Sequence, residues 1–163
     1  MNISKDEIAE LWDRLTPKLY GYLINTLKDR TLADDILQTT WQKAIEALPN
    51  FKSRGNGFSA WLFSIARNEM RMHWRKNGRE ISYDHDLHDF SDVKDNVEDK
   101  IFLRQVISKL GEEERELINL RYIADLSFFD IAKLLGTNPV TVRVKIHRAL
   151  SRARIILKTQ YYE

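Results

Sequence analysis

Apolar residues recur at three- and four-residue steps in both halves of this chain and stop doing so in between. Ile8, Leu11, Trp12 and Leu15, then Leu19, Leu23 and Leu27, carry the pattern at the start, and Ile101, Val106, Ile107 and Leu110 resume it later. Such spacing brings side chains to one face only in a helix, and no alternating strand pattern extends beyond a few residues. Residues 79 to about 95 lack periodicity and are strongly acidic: between Glu80 and Asp99 the only base is Lys94. A segment so charged and so poor in apolar residues cannot bury enough surface to offset the entropy of ordering it. The expected fold is therefore all-α, with two small helical domains, 1–78 and 97–163, joined by an acidic flexible linker over 79–96. The 163 residues suffice for two domains of roughly 70 residues each, and only 6 glycines and 3 prolines suit long helices with short connections.

Composition closes off several classes of function. With no cysteine, a disulfide framework, a cysteine zinc site and a thiol nucleophile are excluded, and the chain fits a reducing cytosol. Met-Asn-Ile-Ser-Lys-Asp at the start has no signal-peptide core. No apolar run approaches the ~20 residues of a membrane span, so membrane insertion is not expected. The net charge of +2 says little, but its distribution says more. From Lys133 to Lys158 there are bases and no acids, the footprint of a polyanion binder.

Punctuation residues place the helices. Thr31 with Asp34 has the spacing of a capping-box variant, opening a helix with Ala33, Leu37, Trp41, Ala44, Ile45 and Leu48 on one side, which Pro49 stops. Asn50 to Gly57 reads as a loop. Ser59 can cap a helix from about Ala60 to Lys76, with Trp61, Leu62, Ile65, Ala66 and Met70 in register and Asn77-Gly78 ending it. Another helix follows Gly111, its first turn holding Glu112, Glu113 and Glu114, where carboxylates favour the helix dipole.

The C-terminal half contains a helix-turn-helix pattern. Ser127 and Asp130 have capping-box spacing; Ile131, Ala132 and Leu135 supply a buried side, and Gly136 ends the short helix. Asn138 as N-cap and Pro139 at the first helical position restart the chain into a helix with Val142, Ile146, Ala149, Leu150 and Ala153 as its apolar stripe. A small residue, a glycine turn and a second amphipathic helix let two helices approach closely, as the motif requires. Thr141, Arg143, Val144, Lys145, His147 and Arg148 lie off that stripe. Arginine can donate two bonds to a guanine edge and Val144 can touch a thymine methyl, while Lys145, Arg152 and Arg154 suit phosphates. A merely solvated basic face would carry the same charges; the glycine turn and the capped restart separate the two readings.

Two blocks in the N-terminal half make the chain recognisable. Ala33-Asp34-Asp35-Ile36-Leu37-Gln38-Thr39-Thr40-Trp41-Gln42-Lys43-Ala44 resembles the polymerase-binding helix of sigma region two. Phe58-Ser59-Ala60-Trp61-Leu62-Phe63-Ser64-Ile65-Ala66-Arg67-Asn68 resembles the adjoining promoter-melting helix. Leu126 to Arg154 is similar to region four, and Leu117 to Tyr122 to the helix before it. The resemblance runs from about residue 10 to 158. The short linker, with no region three domain, points to the extracytoplasmic-function group of the sigma-70 family.

That resemblance implies a bacterial, cytoplasmic transcription initiation factor that catalyses nothing and needs no cofactor or metal. It implies that residues 1–78 bind core RNA polymerase and the melted downstream (−10) promoter element, and that residues 97–163 read the upstream (−35) element as duplex. Asp35, Gln38 and Gln42, with Thr39 and Trp41 flanking, are expected to meet the clamp helices of the polymerase β′ subunit, with the β subunit as a further partner. Thr39 departs from the acid common at that position in the family, which bears on the strength of the contact. Lys52, Ser53, Arg54, Phe58, Trp61, Arg67, Asn68, Arg71 and Arg75 are the candidates for unpaired bases and their backbone: aromatic faces stack bases, cations hold phosphates, and Asn68 can bond a base edge. Trp61 and Phe63 also fit a helical core. An anti-sigma factor that clamps both modules is a further expected partner. The linker, about twenty residues, could span the roughly 70 Å between elements two helical turns apart.

Two rivals belong to other classes. A stand-alone helix-turn-helix regulator explains the C-terminal half and leaves the region-two blocks without a purpose. An enzyme could use Asp84-His85-Asp86-Leu87-His88-Asp89 as metal ligands, but these lie in the expected tether, with no scaffold to fix them. No glycine-rich phosphate loop or nucleophile constellation accompanies them.

Overall fold

The computed structural model of the protein describes residues 3–52, 57–78 and 97–161. The chain divides into two compact units, Met1–Leu87 and His88–Glu163, and the described residues are helical with no strand. The acidic segment 79–96, with its histidines and carboxylates, lies outside the described residues.

The first unit is a three-helix arrangement: α1 (Lys5–Leu27), α2 (Arg30–Ala47) and α3 (Gly57–Asn77), with a 3-10 turn at Leu48–Asn50 containing Pro49. Ser4 opens α1 with a complete capping box. Its hydroxyl accepts from the Glu7 amide at 3.2 Å, and the Glu7 carboxylate accepts from the Ser4 amide at 2.7 Å. Pro17 sits inside α1 without ending it. The missing amide deprives Asp13 of its usual helical donor, but both residues are exposed, so water can reach that carbonyl.

The turn between α1 and α2 differs from the sequence expectation. Lys28 adopts a left-handed conformation (φ 53°) and its amide donates to the Ile24 carbonyl at 2.9 Å. Asp29 is then the N-cap of α2, its carboxylate accepting from the Leu32 amide at 3.1 Å. Thr31 lies inside the first turn, so the Thr31–Asp34 cap is corrected to Asp29. A carboxylate ahead of the turn caps the free amides before Thr31 is reached. Ser59 likewise lies inside α3, which begins at Gly57.

Leu15, Leu19, Tyr22, Leu23 and Ile24 of α1 meet Ala33, Ile36, Trp41 and Ala44 of α2 and Leu62, Phe63, Ala66 and Met70 of α3 in the core. Phe63 is fully buried, edge-on to Tyr22 with ring centroids 5.6 Å apart. Thr40 is also buried, and its hydroxyl donates to the Ile36 carbonyl at 2.6 Å, so the polar group stays satisfied. Ile45, expected on the apolar side, is instead 49% exposed.

The second unit contains α4 (Val97–Ser108), α5 (Glu112–Ile118), a π-helical turn (Asn119–Ile123), α6 (Phe128–Leu135) and α7 (Pro139–Tyr161). Val106, Leu110, Leu117, Leu120, Leu126, Ile131, Ala132, Val142, Ile146 and Ala149 are buried. Between the π-helical turn and α6, Asp125 is left-handed (φ 56°), and the Leu126 amide donates to the Leu120 carbonyl at 3.1 Å. Arg121 fastens the same corner. It donates to the Leu126 carbonyl at 2.9 Å, and its guanidinium lies 4.6 Å from the Phe128 ring centroid.

Candidate polymerase and nucleic-acid interfaces

The helix-turn-helix is built as its sequence predicts. Ser127 caps α6, its hydroxyl accepting from the Asp130 amide at 3.0 Å. Gly136 turns the chain at φ 69°, with its amide donating to the Ala132 carbonyl. The Asn138 side chain accepts from the Thr141 amide at 2.9 Å and starts α7, with Pro139 first. Val142, Ile146 and Ala149 are buried, so α7 is rotationally fixed. Arg143, Val144, Lys145, His147, Arg148 and Arg152 are all exposed, and Thr141 is half-buried.

These cations fall into two groups. The Lys145 ammonium pairs with the Glu113 carboxylate at 2.6 Å, and the Arg152 guanidinium reaches both Glu114 oxygens at 2.8 and 2.9 Å. Both acids come from the first turn of α5, which packs beside α7. Arg143, His147 and Arg148 carry no ion pair among the described residues. They are available for a polyanion at once, whereas Lys145 and Arg152 must first leave their carboxylates. Sequence reasoning placed the Glu112–Glu114 run at a helix start but did not foresee this pairing, which depends on α5 lying against α7.

In the first unit, Asp35, Gln38 and Gln42 are exposed along one stripe of α2. The Gln42 side chain donates to Glu46 at 3.4 Å. Thr39 is half-buried. Trp41 is only 2% exposed, with its ring 4.7 Å from that of Trp12, so its side chain is part of the core rather than of the surface. The stripe continues instead onto Ile45, ten residues beyond Asp35 and three beyond Gln42. Ile45 was missed because its spacing from Trp41 also fits the apolar side.

The aromatic side chains of this region fall into two groups, and Phe51 joins the expected Phe58 and Trp61. Phe63 is core. Phe51, Phe58 and Trp61 form a partly exposed cluster, with ring centroids 4.6 Å apart for Phe51–Trp61, 5.5 Å for Phe58–Trp61 and 5.5 Å for Phe51–Phe58. Phe58 connects inward to Trp41 at 6.3 Å. Along α3, Trp61, Asn68, Arg71 and Arg75 follow at seven, three and four residues, a single outward stripe on which Asn68, Arg71 and Arg75 are exposed. The Asn68 side chain makes one weak contact, to Met72 sulfur at 3.7 Å. Arg67 is half-buried beside the stripe and Lys52 is exposed; Ser53 and Arg54 lie outside the described residues. No metal-binding cluster occurs among the described residues, and none of their helices is long and apolar enough to cross a membrane.

A DNA-reading motif and a second helical unit with an exposed polar stripe and an aromatic-cationic stripe define a two-part promoter-recognition factor, and comparison with known proteins agrees. Residues 11–80 match Sigma-70 region 2, and residues 103–152 match Sigma-70, region 4. The ECF RNA polymerase sigma factor EcfG of Rhodopseudomonas palustris is 30% identical, covering 86% of this chain and 80% of its own length. BldN of Streptomyces coelicolor, also an ECF sigma factor, is 24% identical over 89% of this chain, which spans 58% of BldN. The structure of the sigma factor RpoE from Bartonella quintana, solved in complex with the anti-sigma factor NepR, superposes with a TM-score of 0.73 at 28% identity, covering 95% of this chain and 98% of that one. The chain belongs to the sigma-70 family, in its extracytoplasmic-function group.

Proposed function

We propose that this chain binds core RNA polymerase through the α2 stripe of Asp35, Gln38 and Gln42 and gives the enzyme promoter specificity without catalysing a reaction itself. In this reading α7 enters the major groove of the upstream element, with Arg143 and Arg148 as its leading cations. The Phe51–Phe58–Trp61 cluster and the Asn68–Arg71–Arg75 stripe hold unpaired bases of the downstream element. Binding the open strand in preference to duplex shifts the equilibrium toward melting. The observation that carries the proposal is the α2 stripe: a stand-alone regulator with this helix-turn-helix has no use for it. The protein would act in the bacterial cytoplasm, where polymerase and promoter are. An anti-sigma partner is proposed on the ground that the RpoE structure similar to this chain was solved with one.

The test is run-off transcription with core polymerase, this protein and a template carrying the region upstream of its own gene, beside direct measurement of core binding. Specific transcripts lost with Arg148→Ala support the assignment. Failure of the protein to bind core polymerase would overturn it in favour of a stand-alone regulator.

A further inference from the structure

We propose that Val140 and Val144 of α7 read two thymine methyl groups of the upstream element, which makes Val140 a specificity-determining residue. The inference rests on the reading of α7 as the recognition helix and specifies its ligand chemistry.

Val142, Ile146 and Ala149 are buried and fix the inward direction of α7. At 3.6 residues per turn, the opposite direction falls between Val140 and Val144, each within about 30° of it. Arg148 flanks this line on one side and His147 on the other, each about 50° from it, with Arg143 further round beyond His147, so the outward line of the first turns is apolar with polar and cationic side chains beside it. Val140 is 72% exposed and Val144 41% exposed.

Nothing in the fold accounts for that exposure. Valine is a poorer helix former than alanine, lysine or glutamine, and Val140 stands in the first turn, where a polar residue would be solvated without loss. A surface flanked by arginines that carry no ion pair among the described residues suits a polyanion. In the major groove of duplex DNA the apolar group offered by a base edge is the thymine C5-methyl. The N-terminal residues of a recognition helix are those that reach base edges, and Val140 directly follows Pro139, the first residue of α7. Val140 and Val144 are about 6 Å apart along the axis, which matches roughly two base-pair steps. The element should therefore carry two A·T pairs one or two steps apart.

The test uses the holoenzyme. Templates randomised upstream of the start site are transcribed, the enriched element is recovered, and duplexes are made with each thymine replaced in turn by deoxyuridine, which removes only the methyl. The expected result is a loss of about fourfold in affinity at each of two positions, the value of one buried methyl-sized group. With Val140→Ala, the loss at one of those positions disappears while the other persists. Because Val140 is exposed and alanine favours helix, that variant should retain the wild-type circular dichroism spectrum. If an element is enriched but deoxyuridine costs nothing at any position, or the element has no A·T pair, the thymine proposal is overturned and the promoter-recognition reading stands. If no element is enriched, both fail.

Discussion

At the scale of single residues, the informative contacts are the ones that hold cations back. Lys145 and Arg152 were expected at DNA phosphates, yet each meets an acid of α5. These are surface pairs worth about 0–1 kcal/mol to folding, so their consequence lies mainly in binding. A cation that stays paired with a carboxylate of its own protein releases no condensed counterion from DNA. Glu113→Gln combined with Glu114→Gln frees both, and glutamine preserves the capping interaction that Glu114 makes with the Gly111 amide at 3.0 Å. Promoter binding by the variant holoenzyme should tighten at low salt. The slope of log affinity against log salt should steepen by about 0.9 for each cation that reaches a phosphate. An unchanged slope in filter binding across a salt series would show that neither cation reaches a phosphate. The same scale shows where sequence misleads. Trp41 and Ile45 are one helical turn apart and both fit an apolar side, but packing against Trp12 takes only Trp41 inward. Which of two such residues faces a neighbouring helix is set by the crossing of the helices, a quantity absent from local spacing.

At the scale of elements, legibility followed the strength of the punctuation. Ser127, Gly136, Asn138 and Pro139 each perform the backbone task their chemistry favours, so the helix-turn-helix could be read residue by residue. The α1–α2 turn was not readable in this way because its left-handed residue is Lys28, and the corner before α6 hid because its left-handed residue is Asp125. Neither is the glycine that usually marks such a turn. Gly136 offers a direct measurement of that preference. A Cβ added there meets nothing within 4 Å, so Gly136→Ala isolates the left-handed backbone from any clash. The expected loss is about 1 kcal/mol. Asn138→Ala, which removes the cap of α7, should lose about 1 kcal/mol as well. All 4 tryptophans (Trp12, Trp41, Trp61 and Trp74) lie in the first unit. Urea unfolding followed by circular dichroism should therefore register both substitutions, while the tryptophan fluorescence midpoint stays at its wild-type value. A fluorescence midpoint that moved with them would show that the first unit feels the change.

At the scale of the whole molecule, the two units give the proposed function a divisible form. The surface assigned to polymerase, on α2, and the surface assigned to the upstream element, on α7, belong to separate compact units with separate cores. Damage to one should leave the other intact, and the two kinds of damage should differ in trans. Arg148→Ala removes a leading cation of α7 from a solvated position, so the fold and the α2 stripe persist. Such a protein should bind core polymerase with wild-type affinity, initiate poorly, and inhibit wild-type transcription when added in excess, because it occupies the enzyme unproductively. Gln38→Ala with Gln42→Ala acts at the other surface. Losing two exposed interface side chains should weaken core binding by tenfold or more if they sit near the centre of the contact. This variant should be inactive alone yet harmless in the mixture, since it cannot compete for the enzyme. The decisive measurement is a titration of each variant into a run-off reaction held at fixed wild-type protein. Inhibition by Arg148→Ala and none by the double glutamine variant would assign polymerase capture to α2 and promoter reading to α7. Equal behaviour of the two would mean that the surfaces do not divide the work, and the assignment of Asp35, Gln38 and Gln42 to polymerase would have to be abandoned.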